Sequence, residues 1–167
     1  MRLFIVSCGG TINKYYNEIT GDLPVDGSDF VVKKLISHAK GNIDFEIKIV
    51  GAKDSLEMDD NDRKKLADTI IGGEYKKIIV LHGTDTIDKT AEYLAKKIKD
   101  KKIVLIGSMS PYRFSPDEGV FNFACAIGFL RSKPQNGVYI SMHSLVLPHN
   151  EIYKDRVEGV FNLLNNS

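Results

Sequence analysis

Two threonines, a serine, an aspartate and a lysine in this 167-residue chain have the chemical types that acyl transfer uses. Thr11 follows Gly9 and Gly10, and paired glycines let a backbone turn sharply and present amides to a ligand beside a hydroxyl. Ser55 lies in Asp54-Ser55-Leu56-Glu57-Met58, and Thr84 and Asp85 lie in His82-Gly83-Thr84-Asp85-Thr86. A weak alcohol nucleophile needs a neighbouring base and a donor for the oxyanion, and hydroxyls beside a carboxylate and the amine of Lys154 are suited to both tasks. Each group also has a plainer reading. The glycines make an ordinary turn, Ser55, Thr84 and Asp85 cap helices, and Lys154 is a solvated charge. A phosphate loop competes for the first segment, but it lacks the Gly-Lys-Ser/Thr ending. The polar, tyrosine-bearing stretch from Asn13 to Gly21 reads as a flap over a site rather than as a helix behind such a loop.

These groups need elements to hold them. Five short apolar runs rich in β-branched residues recur at Leu3 to Ser7, Phe45 to Val50, Lys77 to Leu81, Ile103 to Ile106 and Val138 to Met142. Most are continuously apolar, as strands covered on both faces are. Between them run segments of helical period. Ser28 could cap a helix carrying Val31, Val32, Leu35, Ile36 and Ala39, and Asp59 or Asp60 could cap another carrying Leu66, Ala67, Ile70 and Ile71. A third spans about Asp88 to Lys99 with Ala91, Leu94, Ala95 and Ile98 inward. The fourth, near Glu118 to Arg131, is apolar around most of its circumference, so it is deeply buried or part of a subunit contact. Strand and helix in alternation predict an α/β fold of three layers, a mainly parallel sheet with helices on both faces. Ligands of such sheets sit beyond the carboxyl ends of the strands, where Thr11, Ser55, Thr84 and Asp85 fall.

Composition removes several other roles. Twenty-three basic and 22 acidic residues leave a net charge of +1 without a one-signed field, so no nucleic-acid partner is expected. The apolar runs are strand-sized, and no membrane span, export signal or targeting segment is read, which predicts a cytoplasmic protein. Cys8 and Cys125 form no Cys-x-x-Cys pair, and His38, His82, His143 and His149 show no metal-ligand spacing. No metal and no cofactor are expected. The length suits one unit over residues 1–167, and no linker or repeat divides it.

Gly9-Gly10-Thr11-Ile12 together with His82-Gly83-Thr84-Asp85-Thr86 resembles the two signature motifs of the bacterial-type asparaginase and glutaminase family. Asp54-Ser55 lies where that family has its substrate-binding loop, and Gly107-Ser108-Met109-Ser110-Pro111 looks like its Gly-Ala-Met-Arg-Pro segment. Gly119-Val120-Phe121-Asn122 is similar to its Gly-Pro-Phe-Asn helix start, and Lys154 keeps the spacing of its catalytic lysine. The resemblance runs from near residue 1 to about residue 161 and implies the family's flavodoxin-like N-terminal domain.

The resemblance implies hydrolysis of L-asparagine, and of L-glutamine as an alternative, to the acid and ammonia. Thr11 would attack the side-chain amide carbon, assisted by a flap tyrosine, Tyr16 or Tyr15. Thr84, Asp85 and Lys154 would form a second cluster, with Asp85 gripping the substrate ammonium and Ser55 its α-carboxylate. Gly10, Asp54 and Gly83 belong to the same binding loops, and Ser108 would offer its backbone carbonyl. Full-length relatives carry a second, C-terminal domain that this sequence does not show. A homodimer or dimer of dimers through the apolar fourth helix is the expected remedy. Cys8 replaces the family's more usual threonine, and Leu56 stands where many relatives place a polar residue. Two other classes remain open: an amino-acid-binding or regulatory relative without turnover, and a nucleotide or flavin binder on the same fold.

Overall fold

Leu3 and Ile5 face one side of the first strand and Phe4, Val6 and Cys8 the other, and both sides are buried. That double burial makes β1 (Arg2–Gly9) an interior strand of the sheet. The computed structural model describes residues 1–164, so the last three residues of the expected unit lie outside the described residues. The remaining strands of the main sheet are β2 (Asp44–Lys53), β3 (Lys77–Leu81), β4 (Lys102–Ile106), β5 (Gly137–Met142) and β6 (Leu145–Pro148). They lie in the order β2-β1-β3-β4-β5-β6. Strands β1 to β5 pair in parallel, and β6 returns antiparallel to β5.

Helices cover both faces, as the alternation of elements predicts. Leu66, Ala67 and Ile70 of α2 (Asp60–Gly72) and Ala91 and Leu94 of α3 (Ile87–Lys97) pack with Phe4 and Val6. Val31, Val32 and Leu35 of α1 (Phe30–His38) and Phe123, Ala126 and Leu130 of α4 (Asp117–Arg131) pack with Leu3 and Ile5 on the other face. Each fully buried Leu or Ile contributes roughly 1.5–3 kcal/mol. Asp59 caps α2 by accepting the Asn61 and Asp62 amides, both at 2.9 Å, while the Asp62 carboxylate accepts the Asp59 amide. Ser28 accepts the Phe30 amide at 3.3 Å, although Asp29 holds the cap position of α1. The fourth helix is buried along one face and open along another: Phe123 and Leu130 are buried, whereas Phe121 is 53% exposed.

The structure differs from the sequence expectation in β2, in the added antiparallel strand β6 and in a second, small sheet. β2 runs longer than Phe45 to Val50 and alternates exposed with half-buried residues, because it is an edge strand with Glu46 and Lys48 facing outward. A two-stranded sheet, β7 (Ile152–Asp155) with β8 (Val160–Leu163), follows the main sheet without joining its ladder.

The strand order reverses between β1 and β3, and the loops leaving β1, β2 and β3 meet there at two glycines. A Cβ on Gly10 would stand 2.3 Å from the Gly83 nitrogen, and one on Gly83 would stand 2.6 Å from the Ser55 Cβ. Gly10 also has φ +85°, which side-chain-bearing residues rarely adopt. Gly10→Ala therefore combines overpacking with backbone strain. It is expected to lower unfolding free energy by on the order of 3 kcal/mol in urea denaturation.

Candidate active site

Lys154 lies on β7, and its Nζ reaches back 70 residues to donate to Thr84 Oγ1 at 2.9 Å and to Asp85 Oδ1 at 2.6 Å. The lysine side chain is only 10% exposed, Thr84 is buried and the Asp85 carboxylate is 36% exposed. A solvated surface lysine is thereby excluded. An ammonium with three donors spends two of them on a hydroxyl and a carboxylate, an arrangement that polarises the Thr84 oxygen while leaving its own proton free to be donated. The Asp85 amide donates to Ser55 Oγ at 3.2 Å, and Thr86 Oγ1 donates to the Ser55 carbonyl at 2.8 Å. Ser55 is thus the buried link between the loops after β2 and β3.

The other expected residues sit around this cluster in different states. Thr11 opens a single 3-10 turn, Thr11–Asn13, directly after the Gly10–Gly83 contact, and is half-buried. Asn13 locks that turn from below by donating to Ser7 Oγ at 2.9 Å. A 3-10 turn of three residues provides no helix N-terminus for a phosphate, which removes the physical basis of the phosphate-loop reading. Asp54 is committed to framework: it accepts from Lys14 Nζ at 2.6 Å and from the Leu56 amide at 3.3 Å. Burial alone would raise its pKa, but Lys14 and the loop amides outweigh that and hold it below the ordinary carboxylate value. Ser108 is buried, and its hydroxyl donates to Glu118 at 3.0 Å.

The flap leaves the first loop as a short excursion closed by a Lys14–Val25 bridge and by the Tyr15 amide, which donates to the Pro24 carbonyl at 3.1 Å. Tyr16 is 54% exposed on it, and the Tyr15 ring lies under the Arg113 guanidinium. Among the described residues, neither tyrosine hydroxyl bonds to Thr11. Two contacts were not anticipated from sequence. Lys14 ties the first loop to the second, and Arg156 donates to the Asp85 carbonyl at 2.8 Å. Arg156 lies two residues beyond Lys154, a strand-like spacing that could have flagged it had β7 been legible. Volume does not mark the site. Grooves of about 290 and 340 Å³ lie along α3, away from these polar groups.

An open α/β sheet with hydroxyls, a carboxylate and an amine gathered at its switch point defines a small-molecule site of the doubly wound class. The family described as "Asparaginase, N-terminal" matches residues 2–161, and the chain belongs to that family. It is 29% identical to a probable periplasmic L-asparaginase of Haemophilus influenzae, over 95% of this chain and 48% of the relative. The solved thermostable L-asparaginase from Thermococcus kodakarensis superposes with a TM-score of 0.86 at 24% identity, over 100% of this chain and 52% of the other. That likeness speaks to fold. A probable cytoplasmic L-asparaginase from Campylobacter jejuni gives a TM-score of 0.78 at 25% identity, over 99% and 53%. The chain thus spans about half the length of these relatives. Among the described residues, no helix is long and apolar enough to cross a membrane.

At the start of the loop after β3, His82 is fully buried, and its Nδ1 lies 2.8 Å from the Gly83 carbonyl, which can only accept. Nδ1 therefore carries the proton, and Nε2 has no partner among the described residues. Burial pushes the imidazole down to about 4, against the pull of the Gly83 carbonyl. An unfolded histidine titrates near 6.5, so between these values the unfolded chain holds the extra proton and stability falls as pH drops. Above pH 6.5 the effect vanishes. Urea midpoints at pH 7 and 5 should give a loss of about 2 kcal/mol attributable to His82, absent in His82→Gln.

Proposed function

We propose that this chain hydrolyses the side-chain amide of L-asparagine to L-aspartate and ammonia, with L-glutamine as the competing substrate. The single observation that supports the reading most is the Lys154 bridge to Thr84 and Asp85, which a protein without chemistry at this site would have no need to build from residues 70 apart. Family membership and the L-asparaginase names of the relatives point the same way.

In this reading the Thr11 hydroxyl attacks the amide carbon. The tetrahedral intermediate collapses with loss of ammonia, and water then attacks the Thr11 ester to release aspartate and restore the hydroxyl. Thr84 delivers a proton within the second cluster, while Lys154 acts as a fixed positive charge that polarises Thr84 and steadies developing negative charge. Asp85 offers its remaining carboxylate oxygen to the substrate ammonium, and Ser55, whose Oγ already accepts the Asp85 amide, keeps an O–H to donate to the α-carboxylate. Gly10 and Gly83 bring backbone amides close to the ligand, and the Ser108 carbonyl faces the leaving amide. Tyr16 assists Thr11 once the flap turns inward. Asp54 serves the pocket by holding Lys14 and the second loop. A homodimer or dimer of dimers, joined through the face of α4 that exposes Phe121, closes the pocket against water. A cytoplasmic location agrees with the name of the Campylobacter relative, whereas the Haemophilus name is periplasmic.

A binding protein without turnover is the second reading, favoured by one observation: among the described residues the Thr11 hydroxyl has no base hydrogen-bonded to it. Ammonia release from asparagine decides between them. Thr11→Ala and Thr84→Ala should each lower kcat by about 10²–10³-fold or more, with aspartate still bound in calorimetry. Aspartate binding without turnover in the wild type would select the second reading. Lys154→Met should lose about 10³-fold, while Lys154→Arg keeps at least about a tenth of kcat. An arginine variant as inactive as the methionine one would make Lys154 a proton acceptor instead.

A further inference from the structure

The hairpin that carries Lys154 is not hydrogen-bonded into the main sheet, and an isolated two-stranded hairpin is only marginally stable. Something else must fix it. Lys154 pairs with Phe161 across β7 and β8, and the ladder phase can be read from the Leu164 amide, which donates to the Glu151 carbonyl at 2.8 Å. Antiparallel pairs alternate, so the pair 151/164 is hydrogen-bonded, 152/163 is not, 153/162 is, and 154/161 is not. The Phe161 amide therefore points out of the hairpin. Phe161 is 4% exposed, and a buried amide without a partner is costly.

Its partner is His143, whose Nδ1 accepts that amide at 3.1 Å while its ring meets the Phe161 ring edge-on at 5.8 Å. An acceptor Nδ1 leaves the proton on Nε2, which donates to Glu118 at 3.2 Å. Glu118 in turn accepts the Met109 amide and the Ser108 hydroxyl, so the same carboxylate holds the loop after β4. His143 is kept at φ +50° in the tight turn between β5 and β6, next to Ser144 at φ +69°, in a conformation that glycine or asparagine adopts more cheaply. The Asn122 carboxamide holds that turn by accepting the His143 amide at 3.0 Å.

We propose that His143 is a positioning residue for Lys154: through Nδ1 it pins the strand opposite the lysine, and through Glu118 it couples that strand to the Ser108 loop. The proposal rests on the reading of Lys154 given above, but its first readout does not need turnover. Two substitutions in the full chain separate the two arms. Asparagine puts an acceptor near the Nδ1 position and gives up Glu118, whereas glutamine puts a donor near the Nε2 position and gives up the Phe161 amide. Limited acetylation with acetic anhydride, read by mass spectrometry, should label Lys154 about tenfold faster in His143→Gln than in wild type, with exposed Lys76 unchanged. His143→Asn should stay within about twofold of wild type. If the chain hydrolyses asparagine, kcat should follow the same order, about tenfold lower in the glutamine variant with KM within about twofold. Equal Lys154 labelling in wild type and His143→Gln, or an asparagine variant as labile as the glutamine one, overturns the proposal. Absence of hydrolysis in wild type, with the labelling order intact, instead refutes the enzymatic reading alone.

Discussion

The close approach that two missing β-carbons allow, Gly10 against the Gly83 backbone and Gly83 against the Ser55 side chain and amide, is the constraint from which the rest of this site follows. Adjacent strands of a sheet lie about 4.8 Å apart, so loops that leave neighbouring strands in parallel have little room between them. Filling that room with a β-carbon would push the loops apart, and Thr11 and Thr84, each one residue past its glycine, would separate with them. Glycine gives up more conformational freedom on folding than any other residue, and two of them at this junction make the loops expensive to order. Ser55 offsets part of that cost by bonding to the Asp85 amide and the Thr86 hydroxyl. The order of the loops is thus set by the sheet and their spacing by the absence of side chains.

Much of this was legible because strands covered on both faces leave an unmistakable pattern. Lys77–Leu81 and Ile103–Ile106 are nearly all apolar and emerge as β3 and β4, and the stripe of Ala91 and Leu94 emerges as a buried helical face. The rule that ligands gather beyond the carboxyl ends of such strands then isolates Thr11, Ser55, Thr84 and Asp85. What was not legible depends on partners distant in sequence. β6, β7 and β8 are four residues each, too short for a periodicity to form. Nothing in Tyr153-Lys154-Asp155 announces that the lysine will bury against Thr84; only the resemblance supplied that spacing. The engagement of Asp54 by Lys14 is likewise invisible, since the two residues lie 40 positions apart on separate loops. The Lys14–Val25 bridge that closes the flap carrying the exposed Tyr16 is likewise a backbone pairing with no side-chain signature.

The site is unequal in its degree of preorganisation, and that inequality has an electrostatic consequence. Ser55 and Thr84 are buried, and Lys154 is nearly so, with each polar group spoken for by another. Thr11 is half-buried and Tyr16 exposed, on a flap joined to the body through Asp26, Arg113 and the Lys14–Asp54 pair. A charge acts several times more strongly at the effective dielectric of a protein surface than in bulk water. Lys154 therefore exerts its field on Thr84 at close to full strength in the isolated chain, whereas a base near Thr11 would work through water. In the proposed reaction, closure over the flap would bring the first hydroxyl into the same dielectric as the second. A surface that covers Tyr16 would need no rearrangement of the Lys154 cluster, because the sheet, the glycine junction and the hairpin already hold it in place.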